Sequence, residues 1–511
     1  MQENKTKKGG FTSGFGFVMA AAGSAVGLGN LWGFPFKTAE NGGAAFVFIY
    51  ILCVLLIGSI IMICEIFIGR RAQANPISAF KKITPKIGWI GLIAIIVPTI
   101  IVCYYSVLGG YTVSFAVNSF GGNAGKLAEF AGSGWLVVLF TGIFVALALV
   151  VVMFGVKGGI ERASKILMPA LFVLLVAVVI FVLCLGEGVA DGVAYYLIPD
   201  FSKVTFGSVL AAMGQAFYSL SLGMGTMLVY GSYTGKEINI VKSTAMVCVC
   251  DTIVALLAGL AIFPAVYHFA AVEGIATSEL KLEGLMLMFQ TLPQVFESIG
   301  FVGKIIEFMF FAMVVIAAVT SVISIMEVAS QFVIQKFKIK RKIATSIIAI
   351  ITFGVSIPIS FSLGYMLNGV NELTIFGQDW LSFFDIVTNT VLMPVCALLS
   401  CIAIGWFVGP KQTFIELKAE GNNFGKLEGF VKVMIKFVVP VLIAVIEIFG
   451  LIDLIFPKGV FDANGLGIAL VSFAIMLALV LIYFLFLYKT ETGTNADELE
   501  KSGQTTEKVV E

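Results

Sequence analysis

Apolar residues run along this chain in long, nearly unbroken stretches joined by short polar connections, and neither a strict two-residue alternation nor a one-sided helical stripe describes them. A helix needs about 20 mostly apolar residues to cross a bilayer, and lipid tolerates only helices or closed barrels. Stretches this long favour helices. In the first half the pattern predicts spans at about 13–38, 44–69, 88–120, 135–155, 166–185 and 207–233. The second half adds about 240–268, 305–334, 343–361, 383–407, 431–455 and 466–488. The expectation is an all-α polytopic membrane protein of about twelve helices.

Charge then orients the spans. Arg70, Arg71, Lys81, Lys82 and Lys86 follow the second span, Lys157, Arg162 and Lys165 the fourth, and Lys336, Lys338, Lys340, Arg341 and Lys342 the eighth. With Lys5, Lys7 and Lys8 at the start and Lys411, Lys418 and Lys426 after the tenth span, they place the even-numbered loops and both termini in the cytoplasm. The start, MQENKTKKGG, runs into an apolar segment without a small-residue cleavage site, so no signal peptide is expected. The tail 489–511, rich in Thr, Glu and Lys, reads as disordered.

Composition removes several function classes. Hydrophobic residues make up 59% of the 511 and charged residues 12%, too little polar surface for a soluble globule of this size. Lysine and arginine number 32 against 31 acidic residues, which leaves no electrostatic footprint for nucleic acid. The eight cysteines lie in apolar segments without CxxC spacing and read as packing residues. A single histidine, His268, excludes a histidine metal cluster. No residue is assigned a catalytic role.

Two spans carry interruptions. The first contains SAVGLGNLWGFPF, where Gly23, Gly27 and Gly29 would let the helix unwind near Ala25 to Leu28. Unsatisfied backbone in lipid costs several kcal/mol per group, so a break has to face protein, water or a ligand. Glycines that merely allow close helix packing are the alternative. The sixth span, QAFYSLSLGMGTMLVYGSY, places Ser219, Ser221, Gly223 and Gly225 at the corresponding position of a second half. Paired broken helices point to a 5+5 inverted repeat with a binding site at mid-membrane. The expected organisation is an N-terminal tail at 1–12, five-helix repeats at 13–200 and 201–408, two extra helices at 409–488 and the tail at 489–511.

These stretches, together with ENGG (Glu40 to Gly43), EIFIGR (Glu65 to Arg70), CYY (Cys103 to Tyr105), GIERASKILMP (Gly159 to Pro169) and VTSVISIMEV (Val319 to Val328), make a long, ordered set. In them the chain resembles the neurotransmitter:sodium symporters, in particular the bacterial amino-acid carriers with the leucine-transporter fold. The resemblance implies a first sodium ion at the carbonyls of Ala25 and Ser219 and the side chains of Asn30, Ser219 and Asp251. A second would sit between the carbonyls of Gly23 and Val26 and Ala317, Thr320 and Ser321. Sodium is a hard cation that takes oxygen ligands, and unwound backbone with Ser, Thr, Asn and Asp supplies them. For Thr320 and Ser321, hydrogen bonding to the preceding helical turn is the alternative.

Asp251 lies in MVCVCDTIVALLAGLAIFP, where a carboxylate is costly and functional by default, although it could instead cap backbone at a kink. Animal members of the resembled family have asparagine there and bind chloride nearby, with a serine one turn onward where this chain has Ala255. Tyr50, Gln215 and Ser219 match the rest of that site. The resemblance therefore implies that Asp251 stands in for the anion and that chloride is not required.

For the substrate, Gly27 occupies the place of the aspartate that pairs with the amine in monoamine carriers, so an amino acid bringing its own carboxylate is expected. By analogy, the carboxylate would meet the first sodium, the Gly29 amide and the Tyr105 hydroxyl. The amine would meet the carbonyls of Ala25 and Tyr218 and the Ser221 hydroxyl. Ser24, Leu28, Ile101, Tyr218, Met224, Ser321 and Ile325 would line the side-chain pocket, and the flexible Met224 favours a bulky hydrophobic or aromatic L-amino acid.

The gates depart from the family pattern. Tyr105 and Tyr218 form the lid. Gly33 replaces the arginine that would meet Asp385; Lys37, one turn on, would substitute by a longer reach or else snorkel to water, and Gln335 replaces an inner aspartate while Lys8 and Phe11 match inner-gate positions. Both ionic latches are therefore expected to be weak, and Glu65 and Glu327 to satisfy unwound backbone and neighbouring helices. The implied activity is sodium-coupled import by alternating access at the inner (plasma) membrane. Two sodium ions, an amino-acid substrate and the lipid bilayer are the expected partners, with no organic cofactor and no nucleic acid, in a monomer or homodimer. A sodium-dependent sensor, a channel, and proton rather than sodium coupling are the alternatives.

Overall fold

The computed structural model describes residues 10–276, 284–425 and 427–488. Lys8, Lys426 and the tail 489–511 lie outside the described residues. Ten helices are long and apolar enough to cross a membrane, and the pair Gly14–Ala25 and Gly29–Glu40, bent by 50° at a short break, makes an eleventh span. The sixth span is divided more deeply, between Phe206–Ser219 and Thr226–Ser232, and completes twelve. The fold is thus a 5+5 inverted repeat, each half opening with a discontinuous helix, followed by two further helices at Leu427–Ile455 and Ala463–Leu487.

Burial ranks the spans by distance from the centre. In the third span (Pro85–Gly121) and the eighth (Phe301–Phe337), 78% and 72% of the apolar window is buried, against 22% and 17% in the eleventh and twelfth. The first pair therefore holds the core, while the last pair presents its apolar side chains to lipid. The two broken helices pack against that core beside the second (Ala44–Ala72) and seventh (Ile240–Glu273) spans.

The fifth helix differs from its expected start. It begins at Val156, not near 166, so Lys157, Arg162 and Lys165 sit in its first turns and not in a loop. Polarity misled the reading because Glu161 is buried and satisfied within the fold: the Thr12 amide donates to it at 2.8 Å and the Lys165 ammonium at 2.6 Å.

On the face that the basic-residue bias assigns to the outside, short helices at Leu287–Thr291 and Leu292–Ser298 lie between the seventh and eighth spans. A two-stranded hairpin, Thr374–Ile375 with Gln378–Asp379, precedes the tenth span (Trp380–Val408). The indole of Trp32 donates to Gly284 O at 2.6 Å, tying the outer half of the first span to this cover.

Candidate functional site

In the first span helical bonding stops when Val26 N donates to Ala22 O. In a continuous helix the next amides, of Gly27 and Leu28, would bond the carbonyls of Gly23 and Ser24. They turn elsewhere instead: Gly27 N donates to Asn30 Oδ1 at 3.1 Å and Leu28 N to the Tyr105 hydroxyl at 3.2 Å. The released Ser24 carbonyl accepts from the Ser221 and Ser321 hydroxyls at 2.8 and 3.1 Å. Gly27 is needed for this closeness, since a Cβ there would stand 2.9 Å from the Tyr105 hydroxyl and 3.2 Å from Ser321.

The sixth span breaks over Leu220 to Gly225, where Ser221, Gly223 and Gly225 all have positive φ. At Gly223 a side chain is excluded twice, by φ of 75° and by Met393 O, 2.2 Å from where a Cβ would lie. Its amide, orphaned by the break, donates to Glu65 Oε1 at 2.7 Å. The expected role of Glu65, an intramembrane acid satisfying unwound backbone, is what the geometry displays.

Between the breaks stands Asp251, fully buried. Asn30 Nδ2 donates to its Oδ1 at 2.8 Å, the Tyr50 hydroxyl to its Oδ2 at 3.0 Å, and the Ser219 hydroxyl lies 2.9 Å from both oxygens. Asn30 Nδ2 also reaches Ser219 Oγ at 3.0 Å. Three side chains can each supply a proton to an acceptor-only carboxylate, a set that suits the ionised form. Gln215 is not among these partners: its Nε2 donates to Gly29 O at 2.8 Å, holding the outer half-helix of the first span.

Part of the second predicted cluster comes together. Gly23 faces Thr320, whose Cβ would be 3.2 Å from a Cβ on the glycine, and Ser321 reaches the break through Ser24 O. Thr320 Oγ1 bonds the carbonyls of Ile316 and Ala317 at 3.0 Å, the back-bonding that sequence left as an alternative. The Ser321 hydroxyl and the Ser24 carbonyl thus meet between the two spans beside the break, oxygen groups of the kind a hard monovalent cation takes.

A central cavity of about 20 Å³ is lined by Ala25, Gly27, Leu28, Gly29, Ile101, Tyr105, Tyr218, Ser221, Met224, Ser321 and Ile325. This volume holds about one water, so an amino acid enters only if the walls move apart. Ser24 departs from its expected place in the lining, because its hydroxyl pairs with Ser324 Oγ at 2.7 Å and only its carbonyl faces the break. Ser219 belongs to the Asp251 cluster rather than to this lining. Tyr218 is also a wall of a larger vestibule, about 300 Å³, lined by Trp32, Lys37, Gln215, Asp385 and Asn389 among others. Asp385 accepts from Asn389 Nδ2 at 2.5 Å, and Lys37 stops short of an ion pair with it.

The opposite side is closed differently. Phe11 packs edge-on against Phe17 and Tyr230, with centroids 5.3 and 5.5 Å away, and Thr12 reaches Glu161 through both amide and hydroxyl. Gln335 is no gate residue in this arrangement: its Oε1 accepts from Asn75 N and Nδ2 at 2.9 and 3.0 Å, ordering the turn after the second span. Of the two roles expected for Glu327, the structure displays the contact with neighbouring helices and not one with unwound backbone. It takes two 2.7 Å contacts from Arg341 and one of 2.6 Å from the Tyr233 hydroxyl. Sequence gave no local signal for this trio, since Arg341 read as one more basic loop residue.

Two broken helices that surround a small, oxygen-rich cavity at mid-membrane, with a vestibule on one side and a seal on the other, define a secondary transporter. The family is narrower than that class. The sodium:neurotransmitter symporter family model matches residues 8–126 and 129–492, and the chain belongs to that family, one of transporters and not enzymes. It is 35% identical over 453 residues to the sodium-dependent transporter YhdH of Bacillus subtilis strain 168, covering 85% of this chain and 96% of the relative. To a sodium-dependent transporter of Haemophilus influenzae it is 33% identical over 487 residues, covering 88% of this chain and all of the relative. Among solved structures, MhsT in complex with L-phenylalanine superposes with a TM-score of 0.77 at 33% identity, over 87% of this chain and all of that one.

Proposed function

We propose that this sodium-dependent transporter imports a hydrophobic or aromatic L-amino acid with sodium and without chloride. The observation that carries the reading is the buried Asp251 carboxylate, set among Tyr50, Ser219 and Asn30 beside the unwound first span. A fixed negative charge there supplies what a bound anion would otherwise provide for the neighbouring sodium. The first sodium would take the carbonyls of Ala25 and Ser219 with Asn30, Ser219 and Asp251. The second would take Gly23, Val26, Ala317, Thr320 and Ser321.

The substrate class rests on the apolar walls of Leu28, Ile101, Met224 and Ile325, and on the phenylalanine held by MhsT. Its carboxylate would accept from the Tyr105 hydroxyl, whose oxygen accepts from the Leu28 amide, and its amine would donate to the Ser221 oxygen, whose proton is held by Ser24 O. Fitting both groups needs the walls to part, in keeping with the small cavity. Spans 1, 2, 6 and 7 would then rock against 3, 4, 5 and 8. Because sodium and substrate share a site, each raises the affinity of the other by the same factor.

Uptake of radiolabelled tryptophan and leucine into proteoliposomes tests the reading. Accumulation is expected with an inward sodium gradient, lost when potassium or choline replaces sodium and kept when gluconate replaces chloride. Chloride-dependent uptake by the unmodified protein, or competition confined to glycine and alanine, overturns it. Asp251→Asn should acquire chloride dependence, read as uptake restored by chloride and not by gluconate.

A further inference from the structure

Where the tenth span gives way to the eleventh, the helix Pro410–Lys418 and the opening turns of the eleventh span enclose a cleft of about 530 Å³. Lys411, Lys418, Lys432 and Lys436 line it against a single acid, Glu428, a local charge of +3. Glu428 is shared by Lys418 and by Lys432, the latter at 2.6 Å. Lys411 and Lys436 have no carboxylate partner among the described residues. The Lys436 ammonium lies 5.0 Å over the Trp406 ring, and the Trp406 indole donates to Lys436 O at 3.0 Å.

The other wall is apolar and open. Ile415, Val433 and Phe437 are exposed, as are Phe407 and Val441 beyond them on the lipid-facing surface of the two spans. Ammonium groups at a membrane boundary beside an exposed tryptophan and bare apolar side chains match a ligand with an anionic head and a hydrocarbon body. A free phosphate would satisfy the lysines and leave that wall uncovered. The helix is also held in place from behind: Glu416 pairs with Arg71 at 2.8 Å, and Glu420 accepts from Arg70 and, at 2.8 Å, from Ile240 N. The cleft is therefore formed in advance and does not have to be ordered by its ligand.

We infer that this cleft is a binding site for an anionic phospholipid of the cytoplasmic leaflet, its phosphate between Lys411 and Lys436 and an acyl chain along Val433 and Phe437. The site lies apart from the transport pathway and requires nothing of the substrate or its ions.

Trp406 reports on it directly. The full-length protein in phosphatidylcholine nanodiscs is titrated with brominated phosphatidylglycerol or brominated phosphatidylcholine. Quenching of Trp406 is taken as the difference between the unmodified protein and Trp406→Phe. Half-quenching is expected at a several-fold lower mole fraction of the glycerol lipid, with part of that preference lost for each lysine neutralised. Lys411→Gln/Lys436→Gln should equalise the two lipids, and Lys411→Arg/Lys436→Arg should preserve the preference, which separates charge from folding. Equal quenching by both lipids in the unmodified protein overturns the inference, as does a preference that survives the glutamine pair. Relief of quenching by millimolar inorganic phosphate would assign the site to free phosphate and overturn it too.

Discussion

The two faces of the molecule close by different means. On the outer side a vestibule of about 300 Å³ reaches down to one part-buried ring, Tyr218, whose other face lines the central cavity. Asp385 and Lys37 flank that vestibule without meeting. On the inner side Phe11 is wedged among aromatic rings, Thr12 is bonded to Glu161, and Tyr233 joins the Glu327–Arg341 ion pair. One side is shut by a ring and the other by several layers, which is the arrangement of a carrier poised to open at the vestibule. The expectation of a weak ionic latch fits the outer face; the expected inner latch involves Lys8, outside the described residues, and the ion pairs described on that face, Glu327 with Arg341 and Glu161 with Lys165, come from residues other than those of the resembled pattern.

Substitutions can break this contrast. The largest effect is expected from Arg341→Gln, which leaves the fully buried Glu327 without its cation; loss of one partner of such a pair costs about 3–5 kcal/mol. The melting temperature in detergent should fall sharply, and Glu327→Gln added to it should recover most of the loss. Unchanged melting would mean that Tyr233 suffices. Gly27→Ala comes next, because its Cβ would press on Tyr105 and Ser321. Overpacking by a methyl costs about 1–3 kcal/mol, so uptake should drop about tenfold or more, with a smaller fall in melting than that of Arg341→Gln.

Glu161→Gln should loosen the inner face by about 1 kcal/mol, the worth of a typical hydrogen bond. In a Cys184→Ser background, Ser13→Cys should then react several-fold faster with a thiol reagent from the inner side; equal rates would show that the Phe11 packing seals alone. Smallest is Lys37→Gln, where a part-exposed charge without an ion pair is worth under about 1 kcal/mol. Substrate affinity should shift less than about fivefold, and a larger shift would reveal a Lys37–Asp385 latch formed during closure.

Both breaks were legible because their cause is local: glycine and serine at mid-span do not read as helix, and Gly223 and Ser221 adopt positive φ where those residues stand. Asp251 was legible because a carboxylate in an apolar run demands donors. Its partners Asn30, Tyr50 and Ser219 come from three other helices and became visible only through the family pattern. What stayed hidden depends on distance along the chain. Thr12 and Glu161 are 149 residues apart, and nothing near Glu161 announces a burial that starts its helix ten residues early. The Ser24 hydroxyl was misassigned for a similar reason, since its partner Ser324 lies on the eighth span and turns it from the cavity.

Glu327 and Arg341 sit on the eighth and ninth spans, whereas Tyr233 follows the sixth. On the rocking-helix reading, inward opening parts the Tyr233 hydroxyl from Glu327 and leaves the two opposite charges together. A paired charge that stays still does no work against the membrane potential. The electrical signature of transport, about 2.3 kcal/mol per elementary charge per 100 mV, would then come from the cargo and not from the gate. The current carried per amino acid would count the sodium ions directly.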